Sequence, residues 1–469
     1  MRIKWGYKTC FFLVCLNFNC FGQTFVPDDN FEQALIDLGY DSGPLDDFVP
    51  TLNINSITNL DIPSKNISDL TGIEDFLALE KFDLSNNNIT VLDISKNINL
   101  NILWCHYNQL TSLDVSNNTR LISLRCENNL IVNLDVSKNT NLNVLTCENN
   151  QITTLNISDN STLDRLQCGN NALSNLDLSK NTDLLYLSCE QNQIESLNLN
   201  NNTHLRVLFC FENLLTDLNL SNNRSLEVLN CKFNELNTLD LSVNSNLTNL
   251  DCSDNQLCRL NIKNGNNNSM VIMNFEFNPD LNCVVVDNIN DNHSSWEPFS
   301  FSNYVNTPND CSNFVLIDSL NNFIGTSYTL PALTNGNYFT QSNGHGIALN
   351  AGDIITNTQT IYIYKETICN TSNETSFNIF ITNQDYYIPK YFTPNNDGYH
   401  DSWQVFDKNG SINNISIYSR YGKLLKYLRS DSPGWDGTFN GRLLKSDDYW
   451  YIIVFNTGEA LKGHFTLKR

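Results

Sequence analysis

Eight cysteines, Cys105, Cys126, Cys147, Cys168, Cys189, Cys210, Cys231 and Cys252, recur at a constant 21-residue step. A period of this size means that one supersecondary unit is repeated and that no unit can bury its own apolar side chains alone. The units must therefore stack, each covering the next. A second series keeps the same step: Asn66, Asn87, Asn108, Asn129, Asn150, Asn171, Asn192, Asn213, Asn234 and Asn255. Leucines hold fixed places around both, giving the unit LxxLxCxxNxφxxLxφSxN with φ apolar, as in Leu121, Leu124, Cys126 and Asn129.

Side chains alternate along a strand, so Leu124 and Cys126 point inward while Ser123, Arg125 and Glu127 point the other way. These residues resemble the leucine-rich repeat over roughly 56–280, with Cys standing where a third strand leucine usually sits. The resemblance implies a mainly β chain built as a solenoid with a face of parallel strands. About ten coils at ~4.8 Å per rung would give a curved rod on the order of 50 Å along the stack. The Asn series is expected to be structural, its amides bonding backbone groups that would otherwise be buried unpaired. The many Asn-x-Ser/Thr triplets follow from the repeat and are weak evidence for glycosylation. In-register cysteines on parallel rungs have β-carbons farther apart than a disulfide tolerates, so buried free thiols are expected. One Cys per coil with no neighbouring His does not close a tetrahedral metal site.

Ahead of the repeats, residues 24–55 form an N-terminal cap. Asp28, Asp29 and Asn30 start a helix in which Phe31, Leu35 and Leu38 share a face, and Gly39 ends it. Behind the repeats the pattern breaks at Met273. Residues 281–311 read as a C-terminal cap rich in aromatic side chains, with Cys283 and Cys311 as the expected disulfide. Cys258 and Cys369 are left without an assigned partner.

From 312 to 385 short alternating strands such as 360–364 and 376–381 replace the repeat. The stretch 330–344 is similar to a spacer module of large surface proteins from gliding and related Gram-negative bacteria, which implies an immunoglobulin-like β-sandwich stalk. Residues 386–469 carry the run Phe392 to Asp401, then Arg420 to Lys423, Gly434 to Gly437, Asp448 to Trp450 and the closing Lys462 to Arg469. Together these resemble the gliding-motility-associated C-terminal domain, a type B sorting domain for the type IX secretion system. The resemblance implies a small antiparallel β domain whose partner is the type IX machinery. The oxygens between Asn395 and Asp401 read either as a plain turn or as a Ca²⁺ site, and no full calcium loop is present.

The N-terminus, with Arg2 and Lys4 ahead of an apolar run from Phe11 to Phe21, reads as a signal peptide over 1–22, with the mature chain opening near Thr24. Phe18 and Asn19 before Cys20 argue against a lipoprotein anchor. No later segment is apolar enough to be a transmembrane helix. A balance of 28 Lys and Arg against 50 Asp and Glu, net −22, repels phosphate backbones and makes nucleic acid an unsuitable partner.

Chemistry is sparse. His106, His204, His293, His345, His400 and His464 sit apart, with no HExxH, CxxC or Gly-rich phosphate loop, so neither enzyme activity nor a cofactor is expected. Asp93, Asp114, Asp135, Asp177 and Asp240 share one repeat position, as a solvated solenoid edge would show. Binding is the natural alternative. The outward strand positions vary while the frame stays constant, and Trp104, Tyr186, Phe209 and Phe211 are expected there as exposed aromatics, with His106, Arg125, Arg165 and Lys232 beside them. The expected product is a secreted or surface-attached adhesin-like protein that recognises an extracellular protein or polysaccharide. The alternative is a self-associating structural component of the envelope or gliding apparatus.

Overall fold

A computed structural model describes residues 22–469 except 368, 397–399 and 430. The expected signal peptide therefore lies outside the described residues but for its last residue, Gly22. The chain divides into two units, Met1–Cys311 and Ser312–Arg469.

The first unit is a solenoid whose coils each contribute one three-residue strand to an eleven-stranded parallel sheet. Pairing is in register from Leu60 with Phe82, through Leu103, Leu124, Leu145 and Leu166, to Leu250 with Met273. The central side chain of each strand is buried, and full burial of a leucine is worth about 1.5–3 kcal/mol. That gain exists only because the next coil closes over it. Parallel pairing also runs past 280: Val284–Val285 and Tyr304–Val305 extend a second sheet begun by Thr238–Asp240 and Arg259–Asn261.

Asn129 shows how the ladder works. Its Oδ1 accepts from the Leu110 N–H at 2.9 Å, and its Nδ2 donates to the Cys105 and Cys126 carbonyls, both at 3.1 Å. The same bonds recur at Asn108, Asn150 and their counterparts. Asn66, however, is not a rung. Leu60 pairs with Phe82, 22 positions on, so the first coil is one residue longer and Asn66 lies exposed on the turn. At the other end the coil carrying Met273 is two residues longer, and Asn278 carries the ladder on, bonding the Cys252 carbonyl and the Leu257 N–H.

A second asparagine ladder runs through Asn97, Asn118, Asn139, Asn160, Asn181, Asn202, Asn223 and Asn244, all fully buried. Asn139 Nδ2, for example, donates to the Val115 and Asn118 carbonyls at 3.0 and 2.9 Å. The Oδ1 atoms of this ladder have no hydrogen-bond partner.

All eight ladder cysteines are buried free thiols. Burial holds their pKa values high, Cys147 at about 12. Cys283 and Cys311 are joined by a disulfide with Cα atoms 5.6 Å apart, and neither Cys258 nor Cys369 is a free thiol.

The helix Asp29–Asp37 begins at Asp28, whose carboxylate accepts from the Asn30 and Phe31 N–H groups. Phe31 and Leu35 are buried. Leu38 is 43% exposed, contrary to its expected place on the packed face; it is the C-cap, at the open end of the helix's last turn. At the far end Phe275, His293, Trp296, Phe301 and Tyr304 form a cluster of touching rings.

In the second unit a five-stranded sheet, in which Gln359–Glu366 and Ser372–Ile381 are the longest strands, shares a core with the ribbon Tyr328–Thr329 and Ile354–Ile355. A second five-stranded sheet comprises Tyr391–Phe392, Ala460–Leu467, Asp447–Phe455, Ile412–Tyr418 and Leu424–Arg429. Among the described residues no helix is long and apolar enough to cross a membrane.

Candidate functional site

The outward residues of the eleven-stranded sheet gather into three groups. In the first, Lys81 Nζ lies 4.9 Å and Arg125 Cζ 5.8 Å from the Trp104 ring centre. Arg125 also donates to Glu127 Oε1 at 2.6 Å, and His106 Nδ1 stands 4.0 Å from that oxygen. In the second, the Arg165 guanidinium sits 4.2 Å over Tyr186, whose ring meets Phe209 edge-on at 5.9 Å. In the third, Lys232 reaches Phe211 at 5.6 Å, Phe233 at 5.7 Å and Asp251 at 3.9 Å. Such cation–ring contacts are each worth about 0.5–1 kcal/mol at exposed sites and more where water is excluded.

Trp104, Tyr186, Phe209 and Phe211 are thus half-buried, not the freely exposed aromatics expected of them. Neighbouring rungs lie only ~4.8 Å apart, so the flank of a ring standing on one strand is covered by the side chain of the next. Within the repeats the exposed aromatics are Tyr107, Phe233 and Phe277, at 57, 47 and 71%. They occupy the turn after the strand, where the backbone is left-handed with φ of 53, 51 and 54°. Five other coils put Asn or Asp there (Asn86, Asn128, Asn149, Asn170, Asp254), which after Gly adopt this conformation most cheaply, and two put Gln191 and Glu212.

Glu127, expected on the wet side of the strand, is 4% exposed, and its Oε2 has no hydrogen-bond partner. Trp104 Nε1 and His106 Nδ1 beside it are likewise buried and unpartnered. Burial holds the His106 pKa below the ordinary imidazole value against the opposing pull of Glu127. Burial and the nearby carboxylates of Glu190 and Glu127 hold Glu148 above the usual carboxylate range. Sequence reasoning passed over Lys81, Glu148, Glu190 and Phe233. For Glu148 and Glu190 the signal was available in the column one place after each Cys, which reads His106, Glu127, Glu148, Gly169, Glu190, Phe211, Lys232 and Ser253.

The aspartate row is structural. Asp93, Asp114, Asp135, Asp177 and Asp240 each accept from the N–H of the serine two residues on, at 2.9 Å. That bond closes a local Asx turn, and the serine's hydroxyl and N–H together hold the Asp93, Asp114, Asp135 and Asp177 carboxyls below their ordinary pKa.

In the terminal domain the motif stretches are only partly core: Phe392, Trp435 and Phe465 are buried, whereas Tyr421 is 89% exposed. Trp403 and Trp435 are fully buried and exchange backbone hydrogen bonds, and Trp403 stacks on Phe465 at 4.0 Å. Gly434 and Gly437 have φ of 101 and 77°, and a methyl group at 434 would sit 2.8 Å from the Trp403 carbonyl oxygen. Asp401 Oδ1 accepts from the Asn395 and Asn396 N–H groups at 2.9 and 2.6 Å. Residues 397–399 of this stretch lie outside the described residues.

These features define a leucine-rich-repeat solenoid joined to an export address. Residues 386–467 match the CHU_C type IX secretion signal domain, which implies export to the cell surface or beyond. Similar solved structures include an internalin (inlF) from Listeria monocytogenes, 23% identical over 56% of this chain and 84% of that one, with a TM-score of 0.45. The functional domain of InlJ from the same organism, which includes a cysteine ladder, is 20% identical over 95% of this chain and 99% of its own, with a TM-score of 0.37. No curated protein matches the chain.

Proposed function

We propose that the chain is a non-enzymatic, adhesin-like recognition protein, held at the outer cell surface or released, whose strand face binds an extracellular protein or polysaccharide. The observation that carries this reading is the sheet face itself. Trp104, His106, Arg125, Arg165, Tyr186, Phe209, Phe211 and Lys232 vary on a frame whose Leu, Cys and Asn positions do not, and aromatic and Arg side chains supply most interface energy. In this reading the N-terminal segment is a signal peptide, 312–385 is an immunoglobulin-like spacer, and the terminal domain engages the type IX machinery.

Two measurements test it. Protease shaving of intact cells compares the full chain with one truncated after Asp385. The full chain should be cleaved at the surface or found in the medium while the truncated one stays periplasmic; equal retention of both defeats the export reading. Trp104→Ala combined with Phe209→Ala should abolish ligand capture by the purified protein with unchanged circular dichroism, and unchanged capture rules out this face.

A further inference from the structure

Four consecutive rungs place Glu127, Glu148, Gly169 and Glu190 in one column, because the N–H groups of Tyr107, Asn128, Asn149 and Asn170 bond their carbonyls in turn. Glu190 Oε2 accepts from the Ser188 hydroxyl at 2.6 Å. Its Oε1 leans over Gly169, where a methyl group would meet it at 2.6 Å. The missing side chain at 169 is therefore the space the Glu190 carboxylate uses. Glu148, one rung the other way, is half-buried and feels the charges of both Glu190 and Glu127.

Like charges gathered in this way oppose folding unless something else makes use of them. Within the column the one ion pair with a permanent cation is Arg125 to Glu127 Oε1. The second Glu127 oxygen, on a side chain only 5% exposed, has no hydrogen-bond partner. Buried polar atoms are normally bonded, so an unpartnered carboxylate oxygen at the head of an acidic column marks a place for a donor from outside.

Resting on the strand-face reading above, we propose that this column receives the ammonium and guanidinium groups of a basic segment of a protein partner. A metal ion needs its donors converging on one point. Among the described residues the one group of acidic side chains that converges so closely is Asp29, Glu32 and Asp47, elsewhere in the unit. A neutral polysaccharide would stack on ring faces, but Trp104 lies between Lys81 and Arg125, and Tyr186 lies under Arg165. Glu127 and Glu190 stand three rungs apart, ~14 Å, about two steps of an extended segment whose alternate side chains repeat every ~7 Å. The chain's net charge of −22 steers the same class of partner toward it.

The test uses the purified exported protein and a fluorescent ten-residue peptide of alternating arginine and serine, read by anisotropy at physiological salt. Glu148→Gln with Glu190→Gln should weaken binding about tenfold and raise the melting temperature, since like-charge repulsion is relieved. Asp177→Asn with Asp240→Asn removes the same charge from the opposite edge. It keeps the Asx turns, because Asn156, Asn198 and Asn219 already serve at that position. This control should change affinity less than about twofold. Equal losses from the two pairs would reduce the effect to general attraction and overturn the proposal, as would no binding by the unaltered protein or stoichiometric displacement of the peptide by calcium. If the peptide fails while Trp104→Ala with Phe209→Ala still abolishes target capture, the basic class falls and the strand face stands. If capture is also insensitive, both fall.

Discussion

Asn129 and Asn139 have the same side chain in equally dry places, yet they differ in what they hold. Asn129 satisfies one N–H and two carbonyls, whereas Asn139 satisfies carbonyls alone and leaves its own oxygen unpaired. Leaving a buried backbone group unpaired costs about 1–3 kcal/mol. Asn129→Ala should therefore lower the urea midpoint more than Asn139→Ala, by about 1–2 kcal/mol when converted to free energy. Equal losses would show that the Leu110 N–H finds another acceptor. The ladder thiols give a second expectation. Desolvation holds them protonated, Cys147 up to about 12, so alkylation at pH 8 should spare all eight in the folded protein and reach them in denaturant. Tryptic mass mapping of 105–252 reads this directly, and modification of the native ladder would contradict the burial.

The aromatic cluster that closes the solenoid carries its own pH dependence. His293 packs 4.2 Å from Trp296 and 4.4 Å from Tyr304, with Nε2 buried and unpartnered. Burial therefore holds its pKa below the ordinary 6.5, against a weaker opposing pull from Asp291. Above that ordinary value both folded and unfolded forms are neutral, and the cluster's contribution is complete. As pH falls below 6.5 the unfolded chain binds a proton that the folded one resists, so stability is lost toward the folded pKa. Unfolding free energy measured between pH 7.5 and 5 should fall less steeply in His293→Phe than in the unaltered protein. Parallel curves would remove His293 from the account.

At the scale of the molecule the repeat behaves as a one-dimensional stack, in which each coil meets only its neighbours. Deleting one whole period, residues 150–170, joins Asn149 to Asn171 and restores every Leu, Cys and Asn to its column. Deleting 150–169 leaves one coil of 22 residues, the length found between Leu60 and Phe82, where the added residue drops Asn66 from the ladder. The first deletion should fold cooperatively with a lower midpoint, and the second should fold with a midpoint lower still, because its added residue must bulge out of a turn in the middle of the stack and disturbs the Asn ladder there. Similar circular dichroism and melting for both would mean that register is not what holds the solenoid.

The 21-residue step determined the solenoid, the parallel rungs, the inward Leu and Cys and the working Asn ladder, because those residues face a core that is the same in every coil. The spaced motifs of 386–469 likewise disclosed the export domain, since Phe392, Trp435 and Phe465 among them form its interior. Tertiary structure decided the rest. Asn66 falls out of the ladder because one added residue shifts the first coil, which spacing alone does not reveal. Trp104 is flanked and not free, Glu127 is buried, and Glu190 fills the gap above Gly169. An outward side chain takes its surroundings from the rungs on either side, 21 residues away in sequence and ~4.8 Å away in space. Its burial and charge are therefore properties of the stack, and no single repeat contains them.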